Sequence, residues 1–261
     1  MKDGAEIVIT LGGDGTVNEA ANGLMGSDTA LMPLPGGSTN VFARAIGYPN
    51  NAVATTRLLL ETLEQPTFRR ASLGMANGRA FVFHVGVGFD AAVVQRVEER
   101  GPLKRYAGHP WFIVSALVTW ASAERRRLSF EVTTDEGNTL SGAQMAVALN
   151  VNPYTYLGNR PIDLAPEVTL DKPLSVVATT SLAVRKLLPI ATAAFGKGSE
   201  GLPNRGPTRH WADVHGVTIT SEVDVPYQLD GEPQKPVRSL RLEHRPEAIL
   251  IVAPPPRVEG R

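Results

Sequence analysis

The chain has 261 residues, with 26 Lys plus Arg against 26 Asp plus Glu and a formal net charge of zero. That balance argues against bulk electrostatic attachment to nucleic acid or to an anionic membrane. The absence of cysteine excludes disulfides, thiolate metal sites and a cysteine nucleophile. A hydrophobic content of 43% with 20% charged residues describes a globular chain, long enough for one large domain or two ordinary ones.

In chain order, Glu6 to Leu11 is an apolar run that reads as a buried parallel strand. Leu11-Gly12-Gly13-Asp14-Gly15-Thr16 then forms a glycine turn, and Val17, Ala20, Ala21, Leu24 and Met25 recur at helical spacing. Backbone N–H groups at such a helix start lack intrahelical partners, so the turn suits an anion, above all phosphate. Asp14 would repel a bare phosphate and therefore calls for a metal ion or a donor group. Together these features suggest phosphoryl transfer, although a tight turn in which Asp14 caps the helix is the plainer reading. A second strand, Ala30 to Leu34, leads into the glycine turn Pro35-Gly36-Gly37-Ser38-Thr39-Asn40 and a short helix from Val41 to Ala45. The second turn offers backbone donors, two hydroxyls and an amide, and its plainer reading is an N-cap. Two such turns after neighbouring parallel strands would line one crevice at the strand carboxyl ends.

A helix is expected over residues 51–63, ended by Pro66. Beyond it the texture becomes β-rich. Phe68 to Met75 and Arg79 to Val87 flank the turn Asn77-Gly78 as a hairpin. Helices are expected from Asp90 to Glu99 and from Leu103 to Ala123. Leu128 to Thr134 and Thr139 to Asn150 form a second hairpin. Further strands are expected at Leu174 to Thr179, Gly216 to Ser221, Arg238 to Glu243 and Ala248 to Val252, with a helix from Leu182 to Phe195 and a loop from Gly196 to Pro207. The expected organisation is an α/β unit over residues 1–66, a β-rich, sandwich-like domain over 67–253 and a tail over 254–261.

No stretch reaches the ~18 uninterrupted apolar residues of a membrane span. Trp111 to Ala123 comes nearest and reads as a core helix rather than an interfacial one. The N-terminus lacks signal-peptide character, so a cytoplasmic location is expected. The five histidines show no metal-ligand spacing, and neither a Walker A loop nor a complete Gly-x-Gly-x-x-Gly fingerprint occurs.

Gly12-Gly13-Asp14-Gly15-Thr16 with Asn18-Glu19 and Asn22-Gly23, then Leu34 to Asn40 with Phe42-Ala43-Arg44, resembles the diacylglycerol kinase catalytic domain. Relatives of that family include sphingosine and ceramide kinases and bacterial lipid kinases. Gly86-Val87-Gly88-Phe89-Asp90 and Leu229-Asp230-Gly231-Glu232 are similar to later segments of the same family, in the same order. The resemblance implies an NAD kinase-like α/β nucleotide domain, a β-sandwich-like lipid domain and an active site between them. It implies an ATP- and Mg²⁺-dependent kinase for a hydroxyl of diacylglycerol or a related lipid. Gly12, Gly13, Asp14, Gly15, Thr16, Glu19, Gly36, Gly37, Ser38, Thr39 and Asn40 would hold the nucleotide. Asp14 and Asp230 would meet the metal, Asp230 would act as general base, Glu232 would assist metal or substrate binding, and Asp90 would contact the substrate head group.

Each assignment has a plainer counterpart. Asp230-Gly231 is also a common hairpin turn, Asp90 an N-cap, and Glu19 an acid suited to the first helical turn. Lys104-Arg105-Tyr106 reads as a solvated face or a contact to lipid phosphate. The family's Asn-Pro-x-Ser-Gly segment does not occur, and only eleven residues precede Gly12. The resemblance therefore implies a chain lacking the N-terminal units of its domain, with an exposed sheet edge and weakened ATP binding. The alternatives are an NAD kinase-like enzyme and an inactive lipid-binding module. Expected partners are a lipid substrate and a transient membrane surface, with no nucleic acid; a homodimer stays open.

Overall fold

The computed structural model describes residues 4–64, 66–98, 128–186 and 206–254. Its first unit is β1 (Ile7–Gly12), α1 (Asp14–Leu24) and β2 (Ala30–Pro35). β1 and β2 pair in parallel, with Ile7 opposite Ala30 and Gly12 opposite Pro35. Both glycine turns therefore leave the same edge of the sheet, side by side. Among the described residues β1 has β2 as its one neighbour and lies at the sheet edge. Its expected burial is corrected accordingly: Ile9 is 49% exposed and Leu11 67%. β2 is covered on both faces. On one, Leu31 packs with Val17 and Ala21 of α1 and with Val41 and Phe42 of α2 (Val41–Ala45). On the other, Ala30 and Met32 pack with Tyr48 and with Leu59 of α3 (Ala52–Glu64).

The chain then runs through β3 (Phe68–Ala76) and β4 (Arg79–Phe81). The hairpin turn at Asn77-Gly78 is where the sequence places it, and both residues take positive φ. The second arm, expected to run unbroken to Val87, instead splits. β4 stays with β3, while β5 (His84–Gly88) pairs with a different sheet. The break falls where the backbone N–H groups of Val82, Phe83 and His84 donate to the Asp230 carboxylate instead of to a strand. The next hairpin behaves alike. β6 (Phe130–Thr134) pairs with β7 (Thr139–Ala143), but β8 (Met145–Leu149) leaves for the second sheet.

The remaining described elements are α4 (Phe89–Glu98), β9 (Thr155–Leu157), β10 (Arg160–Ile162), β11 (Leu174–Thr179), β12 (Thr208–Val214), β13 (Gly216–Val225), β14 (Tyr227–Leu229), β15 (Glu232–Pro233) and β16 (Val237–Val252). β9, β10, β12, β14 and β15 add to the strands expected from the sequence. The strands expected at Arg238 to Glu243 and Ala248 to Val252, on either side of His244 to Glu247, are one strand, β16. The strand continues through that stretch with a register irregularity against β3 between Arg245 and Ile249. The expected helix from Leu103 to Ala123, the segment Lys104-Arg105-Tyr106 and most of the stretch from Leu182 to Pro207 lie outside the described residues.

One sheet runs β1-β2-β16-β13-β6-β7, with β3 along β16 and β4 beyond it. The other runs β12-β11-β8-β5-β14-β15. They face each other through a core that includes Phe130, Val132, Ile219 and Leu242 from the first and Val85, Ala148, Val176 and Leu229 from the second. The C-terminal end of β16 pairs in parallel with β2, Leu250 against Ala30 and Ile251 against Leu31. Its N-terminal half pairs with β13. The last strand thus joins the α/β unit and the sandwich in one continuous sheet.

Candidate active site

The two glycine turns touch backbone to backbone. Gly36 N donates to Gly12 O at 2.9 Å. A Cβ on Gly37 would lie 2.6 Å from Gly13 Cα, and one on Gly36 would lie 2.9 Å from Gly12 N. A Cβ on Gly15 would lie 2.1 Å from Glu232 Oε1, so this glycine admits the carboxylate of the opposing hairpin. Gly13, at the start of α1, is extended and receives no side-chain cap.

Asp14 does not cap its own helix. Its two oxygens accept Val41 N at 2.9 Å and Phe42 N at 3.0 Å, so it caps α2 instead. Burial raises its carboxyl above the ordinary value, while the two backbone donors and Arg44 pull it down. Asn40 sits at the N-cap position of α2 in a left-handed conformation. Its amide serves the turn rather than the helix, accepting Gly37 N at 2.8 Å and donating to Gly37 O at 2.9 Å. Arg44 lies over the Tyr156 ring, 3.3 Å from its centroid, and donates to Gly158 O, which ties α2 to the β9–β10 hairpin.

Across the cleft, Leu229 pairs with Glu232, and Asp230 and Gly231 between them have φ of 49° and 81°. This is the two-residue hairpin turn that an Asp-Gly pair favours. The expected hairpin turn is present at Asp230-Gly231. The turn aims Asp230 inward, where it accepts Val82 N at 2.7 Å, Phe83 N at 2.9 Å, His84 N at 3.0 Å and Asn18 Nδ2 at 2.7 Å. Burial pushes its carboxyl up to about 7 against the pull of those donors. Asn18 also donates to Ala80 O at 2.9 Å, so α1, β4 and the Asp230 turn meet at one amide.

Asp90, at the start of α4, accepts Tyr154 Oη–H at 2.5 Å and Gln228 Nε2 at 2.9 Å. Gly86 leaves room for it, since a Cβ there would fall 1.5 Å from Asp90 Oδ2. Both oxygens of Asp90 are thus engaged within the protein.

These walls enclose a cleft of about 690 Å³. It is lined by Gly13, Asp14, Gly15, Gly37, Ser38 and Thr39 on one side and by Asp230, Gly231 and Glu232 on the other. Among the remaining sequence candidates, Gly12, Gly36 and Asn40 shape the turns from behind, and Thr16 packs on Gly12. Glu19 pairs with Arg79 and is not among the lining residues. Asp90 lies behind Tyr154. Phe83, His84, Val94, Tyr154 and Thr155 also line the cleft, and the sequence reading named none of them as site residues. Asn18 stands four residues after Asp14 on the same helix face, a spacing that could have pointed to it. His84 and Tyr154 carry no such signal.

Among the described residues no group of three or more His, Asp or Glu converges as a metal site. The oxygens of Asp14 and Asp230 already accept backbone donors, whereas the exposed Glu232 side chain makes no hydrogen bond or ion pair with a described residue. This donor set fits an ion carried mostly by phosphates and water, as Mg²⁺ typically is.

The fold is that of diacylglycerol kinase-like proteins. A putative diacylglycerol kinase from Bacillus anthracis str. Sterne superposes with a TM-score of 0.73 at 22% identity, over 96% of this chain and 77% of that one. Residues 1–93 match the diacylglycerol kinase catalytic domain. A probable lipid kinase YegS-like from Chromohalobacter salexigens is 28% identical over 265 residues, covering 95% of this chain and 76% of the relative. The diacylglycerol kinase of Bacillus subtilis is 36% identical over 85 residues, 32% of this chain and 27% of its own length. The chain is thus similar to a diacylglycerol kinase and to probable lipid kinases.

Proposed function

We propose that this chain is an ATP-dependent lipid kinase that transfers the γ-phosphoryl group to a hydroxyl of diacylglycerol or a related lipid. The observation that carries the reading is the cleft itself. Two phosphate-suited glycine turns, packed backbone on backbone, face an Asp-Gly-Glu hairpin across a space of about 690 Å³. Phosphoryl transfer asks for positioning and charge neutralisation more than for covalent chemistry. Backbone N–H groups at Gly13 and Gly15 supply the cradle, and close approach there and at Gly37 is possible because no Cβ intervenes.

Glu232 is the carboxylate free to meet a nucleotide-borne Mg²⁺, and that ion would neutralise charge on the phosphates. Asp14 acts by joining the two turns, because it fastens α2 to the start of α1. Asp230 is the candidate proton acceptor. A carboxyl near 7 suits proton exchange at neutral pH, and taking the proton requires one of its four donors to yield. The acceptor oxygen forms the new O–P bond, ADP leaves with the electrons of the broken one, and the hydroxyl proton passes through Asp230 to solvent. Among the described residues no helix is long and apolar enough to cross a membrane. The lipid would therefore be met at a membrane surface.

The test is a panel assay with γ-labelled ATP and Mg²⁺ against diacylglycerol, a sphingoid base and NAD. The expected result is label in an organic-extractable lipid. Phosphorylated NAD with no lipid product would overturn the reading.

A further inference from the structure

Six buried side-chain polar atoms among the described residues lack a hydrogen-bonding partner, and His84 holds two of them, Nδ1 and Nε2. Of the five residues involved, His84 alone lines the cleft. Its side chain is held between two rings, with centroids 4.7 Å from Phe83 and 4.5 Å from Tyr154. The residue is 4% exposed.

Leaving a buried donor or acceptor unpaired is costly, whereas an apolar ring of similar shape carries no such penalty. An imidazole is therefore an unfavourable choice for this position on packing grounds alone. Its other neighbours do not explain it. Asp230 spends its oxygens on Val82, Phe83, Asn18 and the backbone N–H of His84 itself, and Asp90 spends its own on Tyr154 and Gln228.

The geometry points to His84 as the group that binds the acceptor alcohol, one of its two unpaired ring nitrogens meeting the hydroxyl of the lipid. This inference rests on the kinase reading for the identity of the alcohol. Burial holds the imidazole down at about 4, so it is neutral at physiological pH. A neutral imidazole presents an N–H at one ring nitrogen and a lone pair at the other, and a hydroxyl, which both donates and accepts, can bond to either. Neither neighbouring carboxylate, when ionised, has a hydrogen to donate. His84 also lies beside the proton acceptor in space, because its backbone N–H is one of the donors that orient Asp230. Phe83 and Val94 also line the cleft and offer apolar surface to the glyceride carbons.

The experiment has two arms. In the first, His84→Phe and His84→Gln are compared with the wild type using 1,2-dioctanoylglycerol and γ-labelled ATP. Losing one neutral hydrogen bond predicts a drop of about tenfold in kcat/KM for the lipid in the Phe variant. KM for ATP should stay within about twofold and the melting temperature should not fall, while Gln, which keeps a donor and an acceptor, recovers most of the loss. A Phe variant as active on the lipid as the wild type overturns the inference.

In the second arm, the ring nitrogen resonances of wild-type His84 are followed by NMR, identified by their loss in His84→Gln. They should move with dioctanoylglycerol in micelles and stay with its acetylated triester, which lacks the hydroxyl. No movement with the alcohol overturns the inference even if the chain is an active kinase. Movement with the alcohol, in a chain that transfers label to no lipid, supports alcohol binding at His84 and defeats the kinase reading instead.

Discussion

Replacing Gly37 by Ala adds one methyl group at the seam between the two glycine turns. The added Cβ would lie 2.6 Å from Gly13 Cα, 3.1 Å from Asn40 Oδ1 and 3.4 Å from Gly13 N. Ordinary carbon–carbon contact is about 3.5–4.0 Å, so the turns must part by about 1 Å. The obstacle is backbone, which no rotamer change removes. Overpacking of this kind costs about 1–3 kcal/mol, equivalent to a fall in Tm of roughly 2–12 °C for a chain of this size.

A displacement of about 1 Å in a positioned site also costs up to ~100-fold in function, so weaker nucleotide binding should accompany the lower Tm. Gly23→Ala is the matched control. It lies in α1, a Cβ there meets nothing within 4 Å, and it should stabilise the chain by up to ~1 kcal/mol while leaving nucleotide binding alone. Circular dichroism melting and calorimetric titration with Mg-ATP read both variants. A Gly37→Ala chain that melts and binds as the wild type would refute the backbone-contact argument.

Asp14→Asn should lower Tm even without nucleotide, by about 1–3 kcal/mol, because an amide cannot accept both Val41 N and Phe42 N; an unchanged melt would mean the cap contributes nothing. Glu232→Gln should do the reverse, leaving stability within ~0.5 kcal/mol while reducing phosphoryl transfer at least about tenfold, since its side chain is exposed and free. Glu167 supplies a pH prediction. Partial burial pushes its carboxyl up, but hydrogen bonds from His210 and Ser175 outweigh this and hold it down at about 2. A depressed folded value stabilises above the unfolded range near 4.5 and is lost as pH falls toward 2. The stability gap between wild type and Glu167→Gln, about 1–2 kcal/mol at neutral pH after allowing for solvent screening, should close over that window in urea titrations. A gap that persists at pH 2 would contradict the assignment.

The β1–α1–β2 unit was legible because each cue is local: an apolar run, a glycine turn, then apolar residues at helical spacing. The same holds for the hairpins at Asn77-Gly78 and Asp230-Gly231, whose turn residues supply positive φ. What the sequence concealed is non-local. The run from Arg79 to Val87 carries no mark where it changes sheets, because the break is made by a carboxylate that reaches Val82 across 148 positions of sequence. Asp14 could be read as a cap for its own helix, yet it caps the next one, a bond set by how α1 and α2 pack rather than by spacing. The glycines announced a phosphate-suited turn but not that Gly37 packs on Gly13 or that Gly15 admits Glu232. His84 is a single polar residue in an apolar strand, and only the placement of Tyr154 and Phe83 around it shows that it faces the cleft unpaired.

The central claim is that one cleft, walled by the two glycine turns and the Asp230 hairpin, holds both nucleotide phosphates and lipid hydroxyl. Amide-resolved NMR of the full chain, titrated with a non-hydrolysable ATP analogue and Mg²⁺ and then with dioctanoylglycerol micelles, tests it most directly. The account predicts that Gly13, Gly15, Gly37 and Ser38 respond together to the nucleotide at a single affinity, and that His84 and Gly231 respond to the lipid. Nucleotide shifts confined to residues away from these turns, or lipid shifts that leave His84 and Gly231 unmoved, would contradict it.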